Sequence, residues 1–154
     1  MINIVRYREL IAEIKAKVNQ QLSDDNIARI IEGYILSVKE EHLIKKLKDK
    51  SGIWICANYP DEDYSFVSED NQEGQNHALF FILEKVSAGS ETDEEELLHY
   101  SDLQVIANKI KHLIIEDKYC NELVPEGAIR VEWEYNIYGG FNGLSIGFDF
   151  INND

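Results

Sequence analysis

Residues 130–150 read RVEWEYNIYGGFNGLSIGFDF, and two alternating apolar runs within this stretch decide the fold class. Successive side chains of a β-strand point to opposite faces of the sheet, so alternation predicts a strand with one apolar face. The apolar positions are Val131, Trp133, Tyr135 and Ile137 in the first run, and Leu144, Ile146, Phe148 and Phe150 in the second. The stretch therefore predicts a C-terminal β-hairpin.

The dipeptide Asn142-Gly143 favours a two-residue turn in this hairpin. Such a turn pairs Phe141 with Leu144 and places Ile137 opposite Phe148, so the apolar faces of the two strands coincide. Gly139-Gly140 lies directly in the same ladder, where it bulges the strand or shifts the turn by a residue or two.

Upstream of the hairpin, two further runs are typical of strands. Residues 53–57 form a continuous apolar run, and residues 78–86 begin with six apolar residues, which indicates a central strand covered on both faces. The polar segment 61–75 between them reads as a hairpin tip or mobile loop around a short strand at residues 64–67.

Helical spacing dominates the first 50 residues. Apolar residues recur at intervals of three and four from Tyr7 to Val18 and again from Ile27 to Val38, with Ser23 as a helix start between the two runs. We therefore predict an N-terminal pair of antiparallel helices that occupies residues 1–50.

A third helix follows the central strand, with an apolar stripe from Leu103 to Ile114. Thr92 with Glu95 has the spacing of a capping box, and Ser101 with Gln104 offers a second one. Together these patterns predict a single α+β domain over residues 1–154, with a mainly antiparallel sheet of about four strands and three helices packed on its apolar face. Residues 51–154 supply the sheet and the third helix.

Charge is distributed unevenly along the 154 residues, whose formal net charge is −14. Residues 1–50 carry ten Lys and Arg against eight Asp and Glu, whereas residues 51–154 carry five against 21. We do not expect the second part to contact a nucleic-acid backbone, since phosphate contacts need Lys and Arg. The balance favours a basic partner, or a surface that is merely solvated.

The acidic residues concentrate in two segments, which we take as the candidate interaction surface. Its members are Asp61, Glu62, Asp63, Glu69, Asp70, Asp93, Glu94, Glu95 and Glu96. The expected partner is a protein, either a basic one or a neighbouring copy of this chain in a homo-oligomer. Lys45, Lys46, Lys48 and Lys50 form the one basic patch, which is typical of a solvated helix end; the alternative is contact with nucleic acid or with the acidic half of a neighbouring copy.

Motifs with a specific chemistry are missing from the sequence. Residues 143–147 match G-x-S-x-G, but Ser145 lies at a strand start and no His follows it, so the nucleophile elbow is rejected. The two Cys and four His have no metal-binding spacing, and no phosphate-binding loop occurs. We therefore expect no catalytic residue, no cofactor and no metal.

No apolar run is long enough to span a bilayer, and the charged residues Arg6, Arg8 and Glu9 interrupt any signal-peptide core. The sequence thus predicts a cytoplasmic protein that does not contact a membrane. Cys56 is expected to be a buried, reduced thiol.

Three segments carry a resemblance to known proteins. Residues 78–85, the acidic 93–96 with the helix at 103–106, and the ending at 139–144 resemble small prophage-encoded proteins of the phage neck and tail-completion type. The similarity covers roughly residues 50 to 151. It implies helices on an antiparallel sheet and a role in assembly into rings, and it carries over no catalytic residue.

The leading hypothesis is a non-enzymatic protein–protein interaction or assembly module, such as a phage-like structural component. The alternative is an acidic inhibitor, either an immunity protein or a DNA mimic, that blocks a basic partner. A third hypothesis is an enzyme whose site is assembled from distant residues, for which a pocket holding His77, His99 or Tyr135 beside carboxylates would be the sign.

Overall fold

The computed structural model describes residues 1–68, 71–87, 89–116 and 122–151. These residues form helices α1 (Ile4–Asp24), α2 (Glu40–Leu47) and α3 (Asp93–Glu116), and strands β1 (Ile31–Ser37), β2 (Ile53–Asn58), β3 (Asp61–Ser68), β4 (Asn71–Lys85), β5 (Pro125–Ile137) and β6 (Phe141–Ile151).

All six strands of the described residues belong to one sheet. Its order is β1-β2-β4-β6-β5, and β3 pairs with the first half of β4 beside β2. Every pair is antiparallel except β1 with β2. The predicted α+β class and the predominance of antiparallel pairing are confirmed, whereas the sheet has six strands instead of about four.

Helix α1 begins where the side chain of Asn3 accepts hydrogen bonds from the backbone N–H groups of Val5 and Arg6, at 2.9 and 3.2 Å. The helix continues past Ser23, so the predicted helix start at that residue is wrong. It ends at Asp24, and Asn26 follows in the left-handed region with φ of 57°, which reverses the chain.

The predicted second helix of the N-terminal pair is wrong over its first half. Residues Ile31–Ser37 form the edge strand β1, and only the short α2 follows before β2. Spacings of three and four recur in this segment, but its β-branched residues favour a strand over a helix. Strand β1, helix α2 and strand β2 thus form a parallel βαβ unit.

Strand β4 lies at the centre of the sheet, as the continuous apolar run predicts. Phe80 and Ile82 enter one core and Phe81 and Leu83 the other. The strand starts earlier than residue 78, because β3 and the first half of β4 form a hairpin across the segment expected to be a loop. Residues 69 and 70 lie outside the described part of the chain.

The C-terminal hairpin forms, but its predicted turn is in the wrong place. The chain reverses at residues 138–140, so that Trp133 pairs with Leu144 and Val131 with Ile146. Compared with a turn at Asn142-Gly143, the partner of Trp133 moves by eight positions. Because that number is even, the apolar faces still coincide, which is why the alternation alone does not decide the register.

Glycine geometry explains this choice of turn. Gly139 and Gly140 have φ of 89° and 102°, a region that suits residues without a Cβ. Gly143 instead sits in the ladder with β4, where a Cβ would stand 1.8 Å from the carbonyl oxygen of Ile82. Gly143 therefore serves the close approach of two strands, not a turn.

Helix α3 runs without interruption from Asp93 to Glu116. The capping box at its start is confirmed, since the N–H of Thr92 donates to Glu95 Oε2 at 3.0 Å and the N–H of Glu95 donates to Thr92 Oγ1 at 3.3 Å. The second box is wrong because Ser101 lies inside the helix.

Helices cover both faces of the sheet, in contrast to the expected packing on one. The larger core joins α1 and α3 to the face that carries Phe80, Ile146 and Phe148. On the opposite face α2 covers only one end, above Cys56 and Phe81. No described helix covers the remainder of that face, and its side chains form the candidate site.

Candidate functional site

The open part of the sheet presents carboxylates from β3, β5 and β6, with His77 of β4 between them. Directly paired residues of antiparallel strands share a face, so the pairing of His77 with both Asp61 and Asp149 places all three side chains together. By the same rule and by alternation along the strands, the acidic sheet face consists of Asp61, Asp63, Glu126, Glu132, Glu134 and Asp149.

His77 lies at the centre of this face and links its two halves. Its Nδ1 is 2.6 Å from Asp149 Oδ1 on β6, and its Nε2 is 3.1 Å from Asp63 Oδ2 on β3. These two hydrogen bonds, with the one to Asp149 the stronger, raise the pKa of His77 above its ordinary value. Protonation of His77 therefore neutralises part of the surrounding charge as the pH falls.

The β5 side of the face is also internally ordered. Arg130 Nη2 lies 2.7 Å from Glu132 Oε1, and Ser145 Oγ donates to Glu134 Oε1 at 2.8 Å. Among the described residues of β3 to β6, these six carboxylates outnumber the basic side chains on the same side of the sheet, His77, Lys85 and Arg130, so the face keeps a net negative charge. Such a surface attracts a cationic partner and accelerates its association.

Only part of the predicted acidic segment 61–63 contributes to this face. The Asp63 side chain is 85% exposed, whereas that of Glu62 is 6% exposed, points to the opposite side of the sheet and lies 2.6 Å from the Met1 ammonium. Glu62 is therefore engaged inside the molecule. Glu69 and Asp70 lie outside the described residues.

The second predicted segment, residues 93–96, lies elsewhere. It begins α3 beside Val86, just beyond the end of β4, whereas Asp63 pairs with Gln75 near the other end of that strand. Gln75 and Lys85 are ten residues apart, which corresponds to about 33 Å along a strand. The structure thus separates the two acidic segments that the sequence groups together.

Aromatic side chains are exposed on β5, at one edge of the sheet. Trp133 and Tyr135 are 59% and 69% exposed on the face that α1 and α3 cover elsewhere. The ring of Tyr100 on α3 packs edge-on against the Trp133 ring, with 5.6 Å between the ring centroids. The Tyr100 hydroxyl donates a hydrogen bond to the carbonyl of Glu134 at 2.7 Å. The apolar pattern that predicts the hairpin therefore ends in a surface-exposed aromatic pair.

The acidic start of α3 borders this aromatic edge. Tyr135 lines a cavity of about 230 Å³ together with Glu91 and Glu96, while no histidine is among its described lining residues. Burial raises the pKa of Tyr100, and the carboxylates of Glu96 and Glu91 add to the effect. This corner combines Tyr135 with carboxylates, as the enzyme hypothesis requires, but without an imidazole.

His99 takes part in an internal ion-pair cluster with Glu84 of β4. Its Nε2 lies 2.5 Å from Glu84 Oε2, and Arg29 also hydrogen-bonds that carboxylate. Burial opposes ionisation of Glu84, but the hydrogen bond and charge of His99 and the charge of Arg29 prevail and lower its pKa. The cluster joins the β4 end to α3 and to the chain before β1.

The other residues considered for chemistry have structural surroundings. Ser145 lies in the middle of β6 and bonds Glu134, so the rejected nucleophile elbow has neither its turn nor a histidine partner here. Cys56 is fully buried, and burial raises the pKa of its thiol to about 12. Within the described ranges no group of three or more His, Cys, Asp or Glu side chains is placed to hold a metal.

Neither a protein-family model nor a curated protein sequence matches this chain. None of the helices in the described part of the chain has the length and apolar character needed to cross a membrane.

Four members of the acidic sheet face, Glu126, Glu132, Glu134 and Asp149, are missing from the sequence-based set. The signal that finds Glu132 and Glu134 is the alternation in residues 130–137, which places both opposite the apolar positions. A criterion based on local charge density selects dense acidic runs such as residues 93–96 and misses acidic residues that occur at every second position. Strand alternation is thus the better guide to this surface.

Proposed function

We propose that this chain is a non-enzymatic protein–protein interaction or assembly module that docks a basic protein on its acidic sheet face. The observation that carries the proposal is the convergence of six carboxylates from three strands, β3, β5 and β6, on one face that no described helix covers. Rigid strands hold these groups at fixed spacings, and such preorganisation favours recognition of a complementary surface. A merely solvated acidic loop would not have this order.

The proposal includes a phage-like structural role and a cytoplasmic location. Helices packed on a mainly antiparallel sheet support the first, because the resemblance over residues 50 to 151 implies that layout. The buried thiol of Cys56 is compatible with a reducing compartment. Capsid or tail genes beside the coding gene would support the phage-like role, whereas a toxin gene would favour the inhibitor.

The docking face is tested by charge reversal with a matched control. One variant carries Asp61→Lys, Glu126→Lys and Glu132→Lys on the acidic sheet face. The control carries Asp93→Lys, Glu94→Lys and Glu96→Lys on α3, which changes the net charge equally and leaves the acidic sheet face intact. We expect wild-type protein and the α3 variant to retain a basic protein from the native host, identified by mass, and the sheet variant to lose it.

Equal loss of that protein by both variants would show that binding depends only on the overall charge of the chain. Retention by both variants would show that the protein does not bind to the acidic sheet face. Circular dichroism of both variants checks that they fold, since all six substituted residues are surface side chains.

The inhibitor remains the alternative, favoured by the same face. Carboxylates spread over adjacent strands can occupy the cationic site of a nuclease, where phosphates would otherwise bind. This function predicts stoichiometric inhibition of the captured partner's own activity, which the sheet variant does not produce. An assembly partner would be retained without such inhibition.

Association of identical copies is favoured by the exposed edge of β5. Pro125 and the bulges near both ends restrict pairing there, but Arg130–Glu134 is regular and carries the exposed Trp133. An antiparallel pair of β5 strands centred on Val131 would place Arg130 of each copy opposite Glu132 of the other. Unlike charges directly opposite stabilise such a pair.

Sedimentation at low salt tests this second mode. Val131→Lys places two like charges at the centre of the pair and is expected to give monomers, while Val38→Lys, which adds the same charge between β1 and α2, should leave the particle size unchanged. A wild-type monomer at high concentration would exclude self-association through β5 and would leave the docking of a basic protein untouched.

A further inference from the structure

A cavity whose charged lining side chains are all basic lies at the other edge of the sheet, beside β1. This β1-edge cavity has a volume of about 630 Å³ and opens between α1 and α2. Its charged lining side chains are Arg8 of α1, Lys46 of α2 and Lys50, and no carboxylate is among its described lining residues. A cationic cavity is unexpected on a chain with a net charge of −14.

Aromatic rings form much of the wall between these cations. The rings belong to Tyr34 of β1, Trp54 of β2 and Tyr59, which follows β2. The Arg8 guanidinium lies 6.0 Å from the centroid of the Tyr34 ring, and Lys50 Nζ lies 5.0 Å from that of Trp54. These distances are typical of cation–π contacts, which position both charged groups at the cavity wall.

The cations keep free capacity for a ligand. Lys46 Nζ donates to the carbonyl of Leu36 at 2.6 Å, which uses one of its three protons and fixes its head group at β1. Trp54 Nε1 donates to the carbonyl of Ser51 at 2.8 Å, and this bond holds the indole in place. The site is thus held in position by contacts within the protein.

We propose that the β1-edge cavity binds a small organic anion, in which a phosphate or carboxylate is attached to an aromatic or apolar body. The three cations would receive the anionic group, since charge-assisted hydrogen bonds are the strong ones. Aromatic and aliphatic walls would contact the body, and the volume matches that of small-molecule sites. The site lies at the edge opposite β5 and does not depend on the acidic sheet face.

NMR of the two indole N–H groups provides a direct test, because the chain has only two Trp residues. The Trp133→Phe variant assigns the signals. We expect phenyl phosphate and benzoate to shift the Trp54 signal in a saturable way and to leave that of Trp133 in place. The relative affinities of these two probes identify the anionic group that the site prefers.

Three further probes make the chemistry specific. Benzylamine has the aromatic body with the opposite charge, inorganic phosphate lacks the body, and an eight-nucleotide oligothymidine presents a polymeric phosphate. Saturable binding of benzylamine as tight as that of phenyl phosphate would overturn the proposal. So would equal affinity for inorganic phosphate, or a response to the oligonucleotide alone.

Charge-removing variants locate the site. Lys50→Gln and Arg8→Gln each remove one cation that lines the cavity, and each is expected to weaken binding of phenyl phosphate by about tenfold or more, as for loss of one charge-assisted hydrogen bond. Lys45→Gln is the matched control, because Lys45 lies on α2 outside the cavity lining. Equal weakening by Lys45→Gln would show a general charge effect and would contradict the assigned site.

Discussion

The indole ring of Trp54 fills the space beside the Cα of Gly33, so that a Cβ on Gly33 would stand 2.3 Å from Trp54 Cζ3. The two residues are directly paired in the parallel ladder of β1 and β2. Gly33 is therefore required by the side chain of its neighbour, and this contact sets the shape of one wall of the β1-edge cavity.

Gly33→Ala is expected to destabilise the fold by about 1–3 kcal/mol, since Trp54 must move to admit the new methyl group. Urea unfolding followed by circular dichroism measures the change. Gly147→Ala on β6 is the control, because a Cβ there would be 3.7 Å from Leu79 Cδ1, an ordinary contact. Equal destabilisation by the two substitutions would mean that loss of glycine in a strand, and not the indole, is responsible.

Strand β1 is missed because the spacing of its apolar residues also fits a helix. The spacing of Ile27, Ile31, Tyr34 and Val38 fits one face of a helix, and nothing in the sequence reveals that Trp54 covers Gly33. Parallel pairing joins residues more than 20 positions apart, so its signal is not local. In contrast, the buried faces of β4 and α3 follow from their own residues, and both are predicted.

Some residues of the candidate site can likewise be found from local sequence, whereas others depend on strand pairing. Asp61 and Asp63 are found from local charge density, but their neighbours Glu126 and Asp149 reach the acidic sheet face through pairing across three strands. Residues 93–96 satisfy the same charge criterion and lie at the far end of the molecule. Charge density predicts exposure, whereas shared location depends on the topology of the sheet.

The linkage of His77 to Asp149 and Asp63 predicts a pH-dependent contribution to stability. Since the folded-state pKa of His77 is raised, its protonated form is favoured by folding; the stabilisation is fully present below the unfolded pKa near 6.5 and is lost as the pH rises through the higher folded pKa. The free energy of unfolding lost on His77→Gln should therefore be greater at pH 5.5 than at pH 9.

Titration of the His77 ring by NMR checks the cause directly. Asp149→Asn removes the stronger of its two partners and should lower the pKa of His77, while Asp93→Asn on α3 should leave it unchanged. An unaltered pKa in Asp149→Asn would contradict the role given to that carboxylate.

Gly143 provides a test of the hairpin register. A Cβ at this position would meet the backbone of Ile82, with 1.8 Å to its carbonyl oxygen and 2.9 Å to its carbonyl carbon. Gly143→Ala is expected to separate β4 from β6 and to destabilise the protein by more than Gly33→Ala, because backbone moves less readily than a side chain. If Gly143 lay in an exposed turn, the substitution would meet no such obstacle.

Hydrogen exchange identifies where Gly143→Ala acts. Amides of β4 and β6 on either side of residue 143 should lose protection first, whereas those of β1 and β2 should change less. Uniform loss of protection would show that the substitution acts on global stability alone, without a local break in the β4–β6 ladder.

Glu84 joins β4 to α3 through His99 and to the segment before β1 through Arg29, so its loss should weaken two contacts at once. Glu84→Gln removes the carboxylate charge that His99 and Arg29 share, leaves Arg29 only the 3.8 Å contact with Asp102, and is expected to destabilise the protein by roughly 1–3 kcal/mol. Glu132→Gln, on the exposed face, should change stability by less than about 1 kcal/mol.

Because the pKa of Glu84 is lowered by folding, the stabilisation that Glu84 contributes is present above its unfolded pKa near 4.5 and is lost as the pH falls through the folded value. The difference between wild-type and Glu84→Gln proteins in urea unfolding should therefore be large at pH 7 and small at pH 3. A difference that stays constant over this range would show that the side chain acts through packing and not through its charge.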